Sequence, residues 1–305
     1  MKKGLVLSGG SIKGAFQAGA ISQLLTSGRF IPDLITGTSV GSLNGMFLAE
    51  RSGRYQQQNQ PVNWPDIGNN LKRFWLDNIT SFDAVGKKIG TIKLVWQIIR
   101  NQFNGFVDMS PLYKLLEREF DMTVLTSSPI DYYSCSVNLF NGELILAHPK
   151  THASFMDHLM ASTAIPLQMP YRLINQQPHV DGGLRDVAPL QHAIDKGAEQ
   201  IVCICCHPKD VQNADLEWGN ILKYIDRNMA IMTNETVNTD IAECQRVNEL
   251  LKEFGKTGSL KDKRSIELAV IRPEKSLPIH LDEFDQKDIK ECFERGWDMA
   301  ASTPV

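Results

Sequence analysis

A serine stands between two glycines in Gly37-Thr38-Ser39-Val40-Gly41, and the residues around it read as strand, sharp turn and helix. Pro32 interrupts the chain before Leu34-Ile35-Thr36, a short and mostly apolar run suited to a buried strand. Beyond the serine, Val40, Leu43, Met46, Phe47 and Leu48 recur at helical spacing through Glu50. A G-x-S-x-G tip of this kind holds a hydroxyl in a strained, exposed position above a sheet, facing the N-terminus of the next helix. That placement suits attack on a carbonyl carbon. Gly41 and Gly45 share a helical face, where backbone can pack close to the sheet. A plain glycine-rich strand-to-helix turn has the same local pattern, so Ser39 alone does not define the chemistry.

A serine that transfers an acyl group also needs a base and a set of N–H groups for the developing oxyanion. The loop Ser8-Gly9-Gly10-Ser11-Ile12-Lys13-Gly14, between a first strand at Gly4–Leu7 and an apolar helix from Gly14 to Leu25, offers the N–H groups. It does not fit a nucleotide site. Gly14 follows Lys13, whereas a P-loop ends in Gly-Lys-Ser/Thr, and the adjacent Gly9 and Gly10 break the dinucleotide pattern G-x-G-x-x-G. A base is offered by Pro178-His179-Val180-Asp181-Gly182-Gly183, a short β segment that presents Asp181 at a loop edge. An ordinary Asp-Gly turn is the competing reading. None of the seven histidines sits in a local catalytic pattern; His192, His207 and His280 follow Ser39 in the chain order a conventional Ser-Asp-His hydrolase requires.

Three ordered segments, Gly9-Gly10-Ser11-Ile12-Lys13-Gly14, Gly37-Thr38-Ser39-Val40-Gly41 and Asp181-Gly182-Gly183, resemble the oxyanion loop, elbow and D-G-G motif of the patatin-like phospholipase family. The likeness extends to Ala161-Ser162-Thr163-Ala164-Ile165-Pro166 and to Asp186-Val187-Ala188-Pro189, and covers roughly the first 210 residues. It implies a three-layer α/β/α fold with a mixed, mainly parallel central sheet. It also implies a Ser39–Asp181 dyad without histidine, an oxyanion hole from Gly9, Gly10 and Ser11, and support from Lys13, Gly14, Gly37, Gly41, Gly182 and Gly183. The substrate implied is a lipid or other acyl ester, and neither metal nor cofactor is required. Hydrolase and acyltransferase share this machinery, and a non-catalytic lipid-binding member would keep the fold. The family's third loop glycine is Ser11 here, which is strained if that position needs φ > 0. Lys13 reads either as support for the loop and a phosphate headgroup or as a surface charge. A carboxylate is a weak base for serine unless its site is dry, so Asp181 is expected to be buried and hydrogen-bonded toward Ser39.

The elements that must position these groups follow from the rest of the chain. The first half alternates β and α, as a parallel or mixed sheet covered on both faces would. The 305 residues, 42% of them hydrophobic and 22% charged, suffice for a large core, and we read one domain over 1–305. A net charge of −3 gives no drive toward nucleic acid. The segment Met1–Leu7 imitates a signal peptide, but Ser8-Gly9-Gly10-Ser11 and Lys13 break it too early; with no apolar run of transmembrane length, a cytoplasmic protein is expected. The six cysteines show no paired CxxC pattern, and Ile201–Cys206 reads as a buried strand.

Arg51–Asp66 is polar and reads as a loop, and the aromatic-rich stretch to Asp108 completes an insertion or lid over about 51–108 that could hold an acyl chain. Within it Ile92, Val95, Trp96, Ile99 and Phe103 share one helical face, read either as core or lid packing or as peripheral contact with a membrane. Ser110-Pro111 opens a helix with serine as its cap, and Asn141-Gly142 joins two strands as a hairpin. Lys209–Glu217 reads as a loop, with helices from Ile221 to Phe254 and a final helix over Gln286–Ala301. Oligomeric state leaves no mark in the sequence.

Overall fold

The computed structural model describes residues 1–213, 221–280 and 283–305; at 221, 222 and 226 it describes the backbone alone. Strand β1 (Lys2–Leu7) leads through a short 3-10 turn into α1 (Gly14–Thr26), and β2 (Leu34–Thr38) runs into α2 (Val40–Gln57). Next come α3 (Trp64–Asn78), α4 (Phe82–Val85), β3 (Lys87–Lys88), α5 (Thr91–Ile99), β4 (Val107–Asp108), α6 (Ser110–Glu119) and α7 (Met122–Leu125). Strands β5 (Asp131–Asn138) and β6 (Leu144–Ala147), helix α8 (Phe155–Ser162), and strands β7 (Arg172–Ile174) and β8 (Gln177–Asp181) follow. The chain ends with α9 (Leu190–Asp195), β9 (Ala198–Ile204), α10 (Ile221–Phe254), β10 (Glu267–Ile271) and α11 (Gln286–Ser302).

The main sheet has the order β10-β9-β1-β2-β5-β8-β7, with β6 also paired to β5. The run from β10 to β5 is parallel; β6, β7 and β8 pair antiparallel. Alternation along the central strands sorts side chains into two cores. Leu5, Leu7, Ile35, Val202 and Ile204 face one core, shared with α1, α2, α3 and α11. Val6, Leu34, Ile201 and Cys203 face the other, shared with α9 and α10. The result is the mixed, mainly parallel α/β/α architecture the motifs imply. In such sheets ligands bind beyond the carboxyl ends of the strands where the strand order reverses. Here β1 lies between β2 and β9, and the loops leaving β1 and β2 carry Ser8–Lys13 and Ser39.

Several local expectations change. The polar stretch at 51–66 is not a loop: α2 continues to Gln57 and α3 begins at Trp64. Glu50, fully buried, explains the extension. It is paired with Arg54 at 2.6 Å and Arg51 at 2.5 Å, so the polar residues form the solvated end of a helix anchored from inside. Helix α3 buries Ile67, Leu71 and Trp75 in the main core. The cap of α6 is also different: Asp108 accepts from the Ser110 N–H at 2.9 Å, and Met109 occupies the cap position. The Asn141–Gly142 turn does connect an antiparallel pair, with Gly142 at φ 73. The six cysteines are free and buried. Among the described residues no helix is long and apolar enough to cross a membrane, and no cluster could hold a metal ion. The expected loop at Lys209–Glu217 lies partly outside the described residues, from 214 onward.

Candidate active site

Ser39 is the hinge between β2 and α2, with φ 56 and ψ −126. A non-glycine residue held there stores strain of roughly 1–3 kcal/mol and persists only where the surroundings over-determine it. They do so from both sides. Its N–H donates to Ser162 Oγ at 2.9 Å, and its carbonyl accepts from the N–H of Ser42 at 2.9 Å and of Leu43 at 3.3 Å. Gly41 cannot carry a side chain, since a Cβ would sit 2.3 Å from the Leu7 carbonyl oxygen; this close approach welds the first turn of α2 to the end of β1.

A chain of hydroxyls fixes the elbow further. Ser42 donates to the Gly37 carbonyl at 2.7 Å and accepts from Ser134 at 2.9 Å. Its second lone pair therefore takes the Ser162 proton, at 2.9 Å, which leaves Ser162 free to accept from Ser39 N–H. Tyr132 donates to the Ser42 carbonyl, also within the core. Sequence reading missed Ser42, Ser134 and Tyr132. Ser162 falls in Ala161-Ser162-Thr163-Ala164-Ile165-Pro166, where a serine at the end of a helix just before a proline-stopped turn is its sequence signal.

The glycine loop is held as firmly. Ser8 N–H donates to the Ile204 carbonyl at 3.1 Å, and Gln17 Nε2 bridges the carbonyls of Ser8 and Ile204 at 2.8 and 3.0 Å. Gly9 N–H donates to the Val187 carbonyl at 2.8 Å. This corrects the expectation for Gly9, whose amide is already committed and does not fit an oxyanion donor. The amides of Gly10 and Ser11 make none of these bonds. Gly10 packs on Cys206, where a Cβ would lie 2.2 Å from the cysteine Cβ. Ser11 has φ 53, so the family's glycine is replaced at a position that does need the left-handed region. The cost is about 1–2 kcal/mol for a side chain there. Gly14 packs against Val40 and Trp75, and Lys13 closes the turn through its N–H to the Gly10 carbonyl at 3.1 Å.

Asp181 ends β8, pinned by its N–H to the Ala164 carbonyl at 3.0 Å. Its Oδ1 accepts the Gly183 N–H at 2.8 Å, while Gly182 lies against Cys135 where a side chain would clash. The carboxyl is buried, as is Ser39, each 5% exposed. Burial pushes its pKa up to about 7; the nearby Ser39 hydroxyl and the hydrogen bond from the Gly183 amide hold it from rising further. Ser39 is thus not the exposed tip expected but the floor of a depression.

Two clefts meet at Ser39, Ser11 and Ile165. One, of about 590 Å³, is walled by Leu43, Phe74, Trp75, Ile79, Met109 and Met169. The other, of about 530 Å³, contains Asp181, Gly183, Lys13 and His207, with Met229 and Thr233 of α10 on its far side. Of the three histidines that could complete a conventional triad, His207 alone lines either of these clefts. His192 stacks edge-on against Tyr133 at 4.7 Å, and His280 pairs with Glu283 in a short bridge. His158, missed in the sequence, bonds Ser136 across from Asp181 at 3.0 Å and is held neutral by burial, its pKa pushed down to about 4.

Fold and site together define an α/β protein built around a strand–serine–helix elbow beneath a glycine loop. The family model of the patatin-like phospholipases matches residues 5–194, and the chain belongs to that family. Among solved structures it is similar to VipD from Legionella pneumophila, with 14% sequence identity and a TM-score of 0.46, over 98% of this chain and 66% of that one. No curated protein matches it significantly.

Proposed function

We propose that the protein is a serine acyl-ester hydrolase acting on lipids, in the manner of a phospholipase A or lysophospholipase, through a Ser39–Asp181 dyad. The observation that carries this reading is the shared floor of the cleft. A strained serine lies where an apolar and a polar cavity meet, and the buried carboxyl of Asp181 lines the polar one beside it. An acyl chain fits the apolar cleft, and the alcohol part of the ester the polar one beside Lys13. Ser39 Oγ attacks the ester carbonyl as Asp181 takes its proton, and the oxyanion is received by the N–H groups of Gly10 and Ser11. Collapse breaks the ester C–O bond, and Asp181 returns the proton to the leaving alcohol. Water then attacks the acyl-serine, again giving its proton to Asp181, which passes it to Ser39 as the fatty acid leaves. A base with a pKa near 7 is matched to this work at neutral pH.

The test is hydrolysis of p-nitrophenyl esters of graded length by wild type, Ser39→Ala and Asp181→Ala. Both variants should lose activity by about 10⁴-fold or more, and wild type should favour longer chains. Full activity in either variant would end the dyad reading.

A further inference from the structure

Between β3 and β4 the chain makes an excursion whose chemistry differs from the rest of the molecule. From residue 84 to 107 it carries Lys87, Lys88, Lys93 and Arg100 and no aspartate or glutamate, in a chain of net charge −3. Its helix, α5, has no buried residue. Four of the five residues of the apolar face seen in the sequence point outward: Ile92 is 79% exposed, Ile99 67%, Trp96 54% and Val95 48%, whereas Phe103, beyond the end of α5, is half-buried against Phe106. Half-buried Leu94 and Gln97 turn toward the protein instead, so that face of α5 is not packed in the core. Arg100 lies over the Trp96 ring at 5.1 Å. Monomeric soluble proteins rarely leave such a continuous apolar strip uncovered without a use for it.

The roots of the excursion place this strip at the rim of the apolar cleft. Val85 and Met109, just outside β3 and β4, line that cavity. Gln168 accepts from the N–H of Phe106 and Val107 at 2.8 and 3.0 Å, and its neighbour Met169 lines the same cavity. Exposed Leu167 and Tyr171 continue the apolar surface, Tyr171 being tied to Asn104 at 3.0 Å.

We propose that α5 and its basic flanks dock the enzyme on an anionic lipid bilayer, with the acyl cleft opening toward the membrane. An outward apolar strip with Trp, carrying Lys93 and Arg100 on its own helix and Lys87 at its root, with Asp83 and Asp108 at the two ends of the excursion, is complementary to a negatively charged lipid interface. The purpose rests on the acyl-hydrolase reading; the binding does not. The test therefore uses full-length Ser39→Ala protein co-sedimented with phosphatidylcholine vesicles, with and without phosphatidylglycerol, alongside wild-type hydrolysis of soluble p-nitrophenyl butyrate.

Binding should require phosphatidylglycerol and weaken with salt. Lys87→Gln and Lys93→Gln should each lower the partition about fivefold, and Ile92→Ser with Trp96→Ser about tenfold or more. The same substitutions in active protein should spare p-nitrophenyl butyrate hydrolysis while lowering hydrolysis of vesicle phospholipid. Binding that is unchanged by these substitutions, or indifferent to lipid charge, overturns the proposal. So does a shift from dimer to monomer in the α5 variants without vesicle binding, which would assign the strip to a second copy of the chain. Vesicle binding without ester hydrolysis by wild type would instead fault the hydrolase reading and leave the docking intact.

Discussion

Asp181→Asn separates the charge of the carboxyl from its shape. The asparagine oxygen can still accept from Gly183, so the loop keeps its hydrogen bond. The folded pKa is about 7 against an ordinary 3.8, because burial disfavours the ionised form. Below both values the carboxyl is protonated folded or unfolded and contributes nothing. Between them the unfolded chain ionises while the folded protein keeps its proton, so stability falls as pH rises, and the loss is complete above about 7. Roughly three pKa units at 1.36 kcal/mol each make that loss about 4 kcal/mol. Asp186 and Asp240, with pKa values raised to about 7 and about 6, impose parallel losses, but on both proteins alike. Melting temperatures of wild type and Asp181→Asn, compared from about pH 4 to about pH 8, should therefore diverge, with the variant gaining on the order of 8 °C at the alkaline end. Over the same range wild-type kcat/KM should climb through a pKa near 7 as the base ionises. Parallel melting curves would show that the carboxyl is not buried as described. Wild-type activity indifferent to pH in this window would remove it as the base.

Four substitutions probe the rest of the site. Ser162→Ala leaves the Ser39 N–H buried and unpartnered, so it should cost about 1–3 kcal/mol of stability by urea unfolding and lower kcat with little change in KM. Ser11→Gly relieves the left-handed strain of about 1–2 kcal/mol but adds unfolded-state entropy of about 0.5–1 kcal/mol; a rise of up to about 1 kcal/mol is expected, and destabilisation would mean the hydroxyl matters more than the backbone. Gly41→Ala forces a methyl onto the Leu7 carbonyl and should cost about 2 kcal/mol or more, read as a lowered melting temperature together with lost ester hydrolysis. His207→Ala should keep activity within about tenfold; a loss of about 10⁴-fold would install a histidine triad in place of the dyad.

Much of this site is legible in the sequence because its parts are local. The serine's neighbours specify strand, bend and helix within ten residues, and Asp181-Gly182-Gly183 marks a strand end. What is not legible depends on contacts between distant segments. Nothing near Gly9 announces that Val187 takes its amide, and nothing near Ser39 that Ser162, on another helix, accepts its N–H. Polar residues after Glu50 read as a loop because the buried partner that holds Arg51 and Arg54 in a helix cannot be seen as buried from sequence alone. The periodicity of α5 was equally clear, but it states that a helix has an apolar face, not which way that face turns.

On the proposed mechanism Ser39 is a nucleophile activated by Asp181. That is tested most directly by a fluorophosphonate probe, with the labelled peptide mapped by mass spectrometry. The adduct should fall on Ser39 alone, vanish in Ser39→Ala and form far more slowly in Asp181→Asn. A label on another residue, or full-rate labelling of Ser39 without the Asp181 carboxylate, would contradict it.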